Sequence, residues 1–285
     1  MLGLWRLKQA LRRRAARAAH RSAEKAVERF SPVHERQPHG LPSELIVSLT
    51  SYPARYPTLA KTLKSLLSQD MAADRIILWI APDDLASLPA DVRMLEQHGL
   101  RIMVHEDLRA FTKLVPSLLK FPAATIVTAD DDIYYPKNWL RRLVDASRAD
   151  PEAIVAHRAH LALVNADRSL RPYAEWEMAT DAPLAPKRGF IFPTGVGGVL
   201  YPPGALDPRV TDTATFRKLC PLADDVWFFW MARLNGTKHK GLGKPAALIE
   251  WGGSQETGLL HANWLGGEND VQIRAMEEHF GYVVD

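Results

Sequence analysis

Short apolar runs alternate with longer amphipathic segments from Leu45 onward. The apolar runs predict buried strands at 45–49, 75–80, 101–105, 125–128 and 153–157. In the amphipathic segments apolar residues recur every three or four positions, which predicts helices at 58–69, 88–98, 113–121, 139–147 and 226–235. Strands and helices that alternate in this way form mostly parallel sheets covered by helices. We therefore expect an α/β fold whose ligands bind beyond the carboxyl ends of the strands.

Two stretches call for separate interpretation. Residues 165–195 contain four prolines, so we expect irregular structure there. The last predicted helix carries the aromatic run Trp227-Phe228-Phe229-Trp230. These four side chains cover every side of a helix, so we expect most of them to be buried in the core.

The first 30 residues differ from the rest in composition and charge. Residues 2–30 are rich in Ala, Leu and Arg and contain no proline, which predicts a helix. Residues 1–30 hold nine Lys/Arg and two Glu, a local excess of +7, so the remainder carries −4 of the net charge of +3. A basic helix with Leu and Trp at its tip suits an anionic membrane surface. A solvated helix, or one that packs on its own domain or on a second subunit, is the alternative.

The remaining composition bounds the class of protein. Residues 31–43 are rich in Pro, His and Gly and are predicted to form a linker to a single catalytic domain at 44–285. The mildly acidic body gives no reason to expect nucleic-acid binding. The single cysteine, Cys220, excludes an intrachain disulfide and fits a reducing compartment. With no apolar run of membrane-spanning length and no secretion signal, we expect a cytoplasmic location.

The strongest chemical signal is the triplet Asp130-Asp131-Asp132, directly after the predicted strand 125–128. Adjacent like charges repel and gain nothing from burial, so their place at the end of a core strand indicates a bound cation. If strand geometry continues through the triplet, Asp130 and Asp132 face one side and Asp131 faces the other. Carboxylate oxygens in this arrangement suit Mg²⁺ or Mn²⁺. A plain turn or a helix cap is the alternative, since Asp clusters also occur there.

Sequence signatures of several other enzyme classes are absent. The chain has no G-x-x-x-x-G-K-[ST] loop, and no G-x-G-x-x-G follows the first strand. These absences argue against a P-loop ATPase and a Rossmann dehydrogenase. The chain also lacks the G-x-S-x-G elbow of the α/β-hydrolases.

Further motifs accompany the triplet in a fixed order. They are Ser48-Leu49-Thr50-Ser51-Tyr52-Pro53-x-Arg55, Lys113, the segment from Val127 to Pro136, Gly197-Gly198 and Asp224-Asp225. In this order they resemble the GT-A-fold nucleotide-sugar glycosyltransferases, most of all the small bacterial transferases of polysaccharide or lipopolysaccharide assembly. The resemblance covers residues 44–270. It implies a GT-A sheet and transfer of a sugar from a nucleotide diphosphate donor, with UDP expected, to a hydroxyl of a glycan or glycolipid.

The resemblance also implies how the triplet is used. In that family the D-x-D motif holds Mn²⁺ or Mg²⁺, and its first Asp often contacts the ribose. Asp132 is therefore the expected direct metal ligand, and Asp130 is a metal ligand or a ribose contact. Asp131 is expected near the nucleotide, the metal or the sugar. His261 is a further candidate metal ligand, although a lone His is more often structural.

Five more residues are implied donor contacts, namely Thr50, Tyr52, Arg55, Asp83 and Lys113. The loop after the first strand cradles the nucleoside in this family, Asp83 resembles the acid that recognises the base, and Lys113 resembles a donor-phosphate contact. All of them except Thr50 have a plain alternative. Tyr52 would be a packed loop aromatic and Arg55 a solvated charge. Asp83 would cap a helix, and Lys113 would be a surface lysine.

The resemblance places the acceptor at Asp224-Asp225. If the enzyme inverts, Asp225 is the expected general base, with Asp224 as a helix cap or a sugar contact. Gly197 and Gly198 would let backbone approach the sugar closely, or they form a simple strand bend. Asn263, Asn269 and Asp270 are expected in a glycine-rich C-terminal loop that closes over the diphosphate.

Two other functions stay open at this point. One is a metal-dependent nucleotidyltransferase, and the other is a non-catalytic glycan- or lipid-binding protein on a transferase scaffold. The sequence does not identify the donor sugar, the acceptor, the linkage, the stereochemical course or the oligomeric state.

Overall fold

A computed structural model describes residues 2–31, 35–184, 188–243, 249–252 and 267–282. Its strands are β1 (Leu45–Thr50), β2 (Arg75–Ile80), β3 (Leu100–Val104), β4 (Thr125–Thr128), β5 (Ile133–Tyr134), β6 (Ile154–Ala156), β7 (Ala159–Leu163), β8 (Gly189–Pro193), β9 (Val199–Tyr201), β10 (His239–Gly241) and β11 (Ile249–Glu250). Its α-helices are α1 (Leu2–Glu28), α2 (Tyr56–Leu67), α3 (Ala90–Arg93), α4 (Val115–Lys120), α5 (Trp139–Ala149), α6 (Thr213–Leu219), α7 (Asp224–Leu234) and α8 (Glu268–Phe280).

A seven-stranded sheet lies at the centre, in the order β10-β6-β9-β4-β1-β2-β3. Neighbouring strands are parallel, except that β9 runs antiparallel to both β4 and β6. In the β1–β4 pair Ser48 lies opposite Thr128, so the loops that follow these two strands leave the sheet side by side. The predicted α/β class is confirmed, and the sheet is mixed and mostly parallel, as the GT-A resemblance implies.

Both faces of the sheet are covered by apolar side chains. Leu45, Val47 and Leu49 of β1 pack with α2 and α5 on one face, whereas Ile46 joins the cluster that contains α7 on the other face. The predicted apolar stripe of α2 is buried, namely Leu59, Leu63, Leu66 and Leu67. The run Trp227-Phe228-Phe229-Trp230 of α7 is also buried, which confirms that it belongs to the core.

The predicted helix over 88–98 is wrong as a single element. Only the four residues of α3 are α-helical, and 3-10 turns lie on either side of it at Pro82–Ser87 and Met94–His98. The apolar residues of this segment are buried all the same, namely Leu88, Val92 and Leu95. A 3-10 turn has three residues per turn, so it also buries residues spaced three or four apart. The segment ends at Gly99, whose φ of 101° is the left-handed conformation typical of a glycine after a helix end.

Two segments expected to be irregular are regular. β8 lies within the proline-rich stretch 165–195 and pairs antiparallel with β7. Its only proline is Pro193, the last residue of the strand, a position where proline is tolerated. Asn269 and Asp270 lie in the first turn of α8, so the prediction that these two belong to a closing loop is wrong. Ile273 and Met276, three positions apart, are buried on one face of this helix. Their burial stabilises the helix even though glycines lie on either side of it.

The basic helix expected near the N-terminus is α1, and its C-terminal part packs on the domain. Ala23 and Val27 are buried against Trp251, and Glu24 forms an ion pair of 3.6 Å with Lys61 of α2. The side chains described between residues 10 and 19 are exposed. No helix in the described ranges is both long and apolar enough to cross a membrane. The division into tail, linker and catalytic domain stays a prediction.

Candidate functional site

The three carboxylates of the triplet take three different partners at the carboxyl edge of the sheet. Asp130 Oδ1 lies 3.3 Å from Lys113 Nζ, and Asp131 Oδ2 accepts a hydrogen bond of 2.5 Å from Ser51 Oγ. Asp132 forms a buried ion pair with Arg55. Strand β4 ends at Thr128, so strand alternation does not apply to the triplet. The expectation that it does is therefore wrong.

The backbone around the triplet is held at both ends. Asp130 N–H donates to Tyr135 Oη at 2.8 Å, and Tyr135 N–H in turn donates to Ser65 Oγ of α2 at 3.1 Å. At the other end Trp251 N–H donates to the carbonyl of Asp132 at 3.0 Å. These bonds fix the direction in which the carboxylates leave the loop.

Burial makes the triplet electrostatically unfavourable in the absence of a further cation. Burial raises the pKa of Asp131 to about 7, against the opposing effect of its hydrogen bond from Ser51. Burial and the neighbouring charge of Asp130 raise the pKa of Asp132, against the opposing effect of Arg55. Asp130 and Asp132 are therefore close enough to repel each other, and a divalent ion between them would relieve that repulsion.

The donor set fits a hard divalent ion that is shared with a phosphate ligand. No three His, Cys, Asp or Glu side chains converge on a complete metal site in the described part of the chain. Mg²⁺ is typically held by one or two carboxylates and completed by water and substrate phosphate, which Asp130 and Asp132 suffice to provide. His261, the other candidate ligand, lies outside the described residues.

Lys113 joins the triplet to a second acidic pair. Its Nζ lies 3.3 Å from Asp130 Oδ1 and 3.0 Å from Asp224 Oδ2. Burial alone would lower the pKa of Lys113, but Asp130, Asp224 and Asp225 together raise it well above the ordinary value. These carboxylates therefore stabilise the charged ammonium form of Lys113. The alternative that Lys113 is a surface lysine is wrong, because the residue is 8% exposed.

Asp224 and Asp225 differ in environment although they are adjacent. Asp224 is the first residue of α7, and the N-cap position belongs to Ala223, so the expectation that Asp224 caps this helix is wrong. Asp225 Oδ1 accepts a hydrogen bond of 2.8 Å from Gly195 N–H. Burial, and next the charge of Asp224, raise the pKa of Asp225 to about 7 against the influence of Lys113 and Gly195. A carboxylate that titrates near neutral pH is suited to proton transfer.

The glycine turn between β8 and β9 contains one residue that the sequence did not single out. A Cβ atom at Gly195 would lie 2.5 Å from Lys113 Nζ and 3.2 Å from Asp225 Oδ1, so a larger residue would have to displace the lysine ammonium from its present position. Gly197 accepts a hydrogen bond of 2.6 Å from the indole of Trp139. Gly198, with a φ of 99°, packs against the same ring. Sugar contact by Gly197 and Gly198 stays a prediction.

The remaining predicted donor residues lie on the loops after β1 and β2. Thr50 Oγ1 donates to the carbonyl of Trp79 at 3.0 Å. Tyr52 is 41% exposed, and its hydroxyl accepts from Arg55 Nε at 3.4 Å. Asp83 is exposed in the first turn after β2 and caps no helix. All three are at the correct edge of the sheet, and their contacts with a nucleotide stay predictions.

Trp251 is a further residue to which no sequence pattern pointed. Its indole Nε1 donates to Thr62 Oγ1 of α2 at 2.8 Å, and its ring contacts the rings of His20 and Tyr134 edge-on. Its backbone holds Asp132, as described above. The pairing of β11 with β5 brings it there, a contact over more than 110 residues that no local pattern reveals.

Trp251→Ala is expected to lower the free energy of unfolding by about 3–5 kcal/mol, because it leaves a large cavity between α1, α2 and β5. Chemical denaturation measures this loss. Trp251→Phe is the matched control and is expected to keep most of the stability, because it retains an apolar ring. A loss below about 1 kcal/mol in Trp251→Ala would show that α1 and Trp251 do not brace the domain.

Comparison with known proteins gives only distant similarities. No protein-family model matches the chain, and no curated protein matches it significantly. Among solved structures, mannosyltransferase PcManGT from Pyrobaculum calidifontis, in complex with GDP-Man and Mn²⁺, is 20% identical over 50% of this chain and 45% of its own, with a TM-score of 0.36. S. aureus TarS 1–349 is 13% identical over 72% of this chain and 59% of its own, with a TM-score of 0.46.

A third solved structure is glucosyl-3-phosphoglycerate synthase from Mycobacterium tuberculosis, in complex with Mn²⁺, UDP and glucosyl-3-phosphoglycerate. It is 16% identical over 40% of this chain and 43% of its own, with a TM-score of 0.32. The chain thus spans between 43% and 59% of the length of these three solved chains. Similarities at this level carry no functional argument, so the function has to be inferred from the residues of the chain itself.

Proposed function

We propose that the protein is a metal-dependent glycosyltransferase. It moves a sugar from a nucleotide diphosphate donor, with a UDP-linked donor expected, to a hydroxyl of a glycan or glycolipid. The observation that supports this most is the position of Lys113, whose ammonium contacts both Asp130 and Asp224. A donor bound at the triplet and an acceptor bound at Asp224 and Asp225 would therefore both lie next to the ammonium of Lys113. Such proximity is what a displacement at the sugar carbon requires.

The donor half consists of the triplet and its two cations. Asp130 and Asp132 would hold Mn²⁺ or Mg²⁺, which when bound supplies Lewis-acid stabilisation of the leaving diphosphate. Arg55 and Lys113 lie against the same carboxylates, so their charges lie beside the expected position of the phosphates. Asp131 is turned toward Ser51 and is assigned a bracing role in the loop. Thr50, Tyr52 and Asp83 remain the proposed contacts of the nucleoside.

The acceptor half centres on Asp225. Gly195 N–H holds Oδ1, while Oδ2 has no hydrogen bond from any of the described residues. That second oxygen is positioned to take the proton of the acceptor hydroxyl, as a general base in an inverting reaction. Asp224 forms an ion pair with Lys113. This pair holds the lysine ammonium between the donor half and the acceptor half of the site.

A panel of nucleotides and nucleotide sugars tests the proposal directly. The melting temperature of the protein is measured with UDP, GDP and their sugar conjugates, each with and without Mn²⁺. A donor that binds the folded state raises the melting temperature, and we expect the largest rise with a UDP conjugate and only when Mn²⁺ is present. Release of UDP on addition of a glycan acceptor then establishes transfer. Absence of a response to every nucleotide would refute the proposal.

The exposed part of α1 supports a further element of the proposal, contact with the cytoplasmic face of an anionic membrane. The side chains described between residues 10 and 19 are exposed and include Arg13, Arg14 and Arg17. Basic residues near an anionic surface contribute about 1 kcal/mol each. Binding through this helix would bring the enzyme to a lipid-linked acceptor.

Reversal of the three charges in Arg13→Glu/Arg14→Glu/Arg17→Glu is expected to weaken binding to vesicles that contain phosphatidylglycerol by roughly a hundredfold. Cosedimentation measures this, with pure phosphatidylcholine vesicles as the uncharged reference. The matched control carries the same charge change on the exposed body residues Arg101, Lys120 and Lys218. Equal losses in the two variants would assign the effect to net charge and refute a role for α1.

A further inference from the structure

Arg158 is a half-buried arginine that the proposed reaction leaves unused. Its Nη1 donates to Thr194 Oγ1 at 3.4 Å, and its backbone carbonyl accepts from Thr194 N–H at 3.1 Å. No carboxylate of the described residues forms an ion pair with the guanidinium. A guanidinium has five N–H donors, so most of them are available to a ligand.

The anchor of Arg158 is directly connected to the proposed base. Thr194 is followed by Gly195, whose N–H holds Asp225 Oδ1 at 2.8 Å. The hydrogen bonds between Arg158 and Thr194 extend the β7–β8 pairing to the edge of the site. Thr194 binds the guanidinium and Gly195 binds the proposed base, so the two groups are held by adjacent residues directly after β8.

Acidic groups lie near the guanidinium, but none of those in the described residues forms an ion pair with it. Tyr173 is close enough to both Asp225 and Arg158 for their charges to act on its hydroxyl. Burial raises the pKa of Tyr173, the charge of Asp225 raises it further, and the charge of Arg158 lowers it. The backbone N–H of Tyr173 donates to the carboxylate of Asp270 at 2.7 Å. This carboxylate is therefore used in the contact between Tyr173 and α8. Glu250 is influenced by Asp132, Arg55 and Arg158, but it forms no ion pair with Arg158 in the described structure.

We infer that Arg158 binds an anionic group of the acceptor, a phosphate or a carboxylate, while the acceptor hydroxyl meets Asp225. The inference rests on the proposed function, because it takes Asp225 as the acceptor end of the site. Guanidinium forks bind phosphate and carboxylate oxygens through paired hydrogen bonds. The substrate class is thus an acidic glycan, either phosphorylated or containing a uronic acid. The donor diphosphate is the other possible source of an anion here, and the experiment separates the two.

Three sugars that differ only in the group at C6 serve as probes, namely methyl glucoside (neutral), methyl glucuronide (a carboxylate) and methyl glucoside 6-phosphate (a phosphate). Each is titrated by calorimetry into the full chain saturated with UDP and Mn²⁺. The variants are Arg158→Gln and the control Arg188→Gln, which removes an exposed arginine paired with Glu177. We expect the two anionic sugars to bind wild type and the control at least roughly tenfold more tightly than the neutral sugar. In Arg158→Gln this preference is lost, while affinity for UDP with Mn²⁺ is unchanged.

Two results would overturn the inference. Equal or absent binding of the three sugars to wild type would show that no anion is recognised at the acceptor end. A loss of UDP affinity in Arg158→Gln would assign the arginine to the donor diphosphate instead. Failure of wild type to bind any of the nucleotides of the panel with Mn²⁺ is seen before any sugar is added, and it refutes the proposed function rather than the role of Arg158 alone. The melting temperature of Arg158→Gln verifies that the variant is folded.

Discussion

Asp225→Asn is expected to lower the rate of sugar transfer by roughly 10²–10⁴-fold, the range in which a positioned general base contributes to catalysis. The asparagine amide retains an oxygen that accepts the hydrogen bond from Gly195, so the turn keeps its shape. Binding of UDP with Mn²⁺ is expected to stay within about twofold, because Asp225 lies in the acceptor half. Steady-state kinetics and calorimetry on the same preparation separate the two effects.

The pH dependence of the wild-type reaction follows from the pKa of Asp225. Burial and the charge of Asp224 raise this pKa to about 7, and a general base acts only in its deprotonated form. The value of kcat/KM is therefore expected to rise about tenfold per pH unit below pH 7 and to level off above it. In Asp225→Asn this rise disappears.

Asp224→Asn distinguishes the two adjacent carboxylates. It removes the partner of Lys113 at the α7 end, so we expect a smaller loss of rate. The pH profile is expected to keep its shape but to move to lower pH, because the charge of Asp224 no longer raises the pKa of Asp225. If Asp224→Asn instead abolished the profile while Asp225→Asn kept it, the assignment of the base to Asp225 would be wrong. The sequence alone did not decide between these two residues, because a helix start accommodates Asp at either position.

The sheet was predictable because its strands are continuous apolar runs and its helices carry regular apolar stripes. Leu45 to Leu49 and the Leu59–Leu67 stripe of α2 are examples. β8 was missed because prolines surround a five-residue strand, and α8 was missed because glycines flank it. In both segments the deciding contribution is burial against distant residues, as for Ile191 in β8 and Met276 in α8, which local propensity does not contain.

The site was predictable in its residue types and less so in its geometry. Carboxylates after β4 and at the start of α7 were visible as clusters in the sequence, but no pattern indicated that Lys113 joins them. Gly195 was visible in the sequence only as one of three glycines between residues 195 and 198, and its contact with Lys113 and Asp225 is tertiary. Trp251 and Arg158 carried no signal. Their positions depend on the β5–β11 and β7–β8 pairings, which are set by tertiary contacts.

Asp132→Asn is expected to abolish the Mn²⁺-dependent part of nucleotide binding. The carboxylate is the expected direct ligand, and an amide oxygen without charge is a much weaker ligand for a hard divalent ion. At a UDP concentration of about 100 times Kd, wild type gains about 2.7 kcal/mol of stability, which corresponds to a rise in Tm of about 5–10 °C. In Asp132→Asn the rise is expected to be the same with Mn²⁺ as without it.

Asp131→Asn is the matched control, because it makes the same change in the neighbouring residue. Asp131 accepts a hydrogen bond from Ser51 Oγ, and the asparagine keeps an oxygen at that position. Its replacement leaves the carboxylates of Asp130 and Asp132 unchanged and is therefore expected to keep the Mn²⁺-dependent rise in Tm. A full response in Asp132→Asn, or an equal loss in both variants, would show that the metal is not held by the first and third carboxylates of the triplet. Because Asp132 also pairs with Arg55, the free energy of unfolding of each variant without ligand is measured first, so that loss of binding is distinguished from loss of structure.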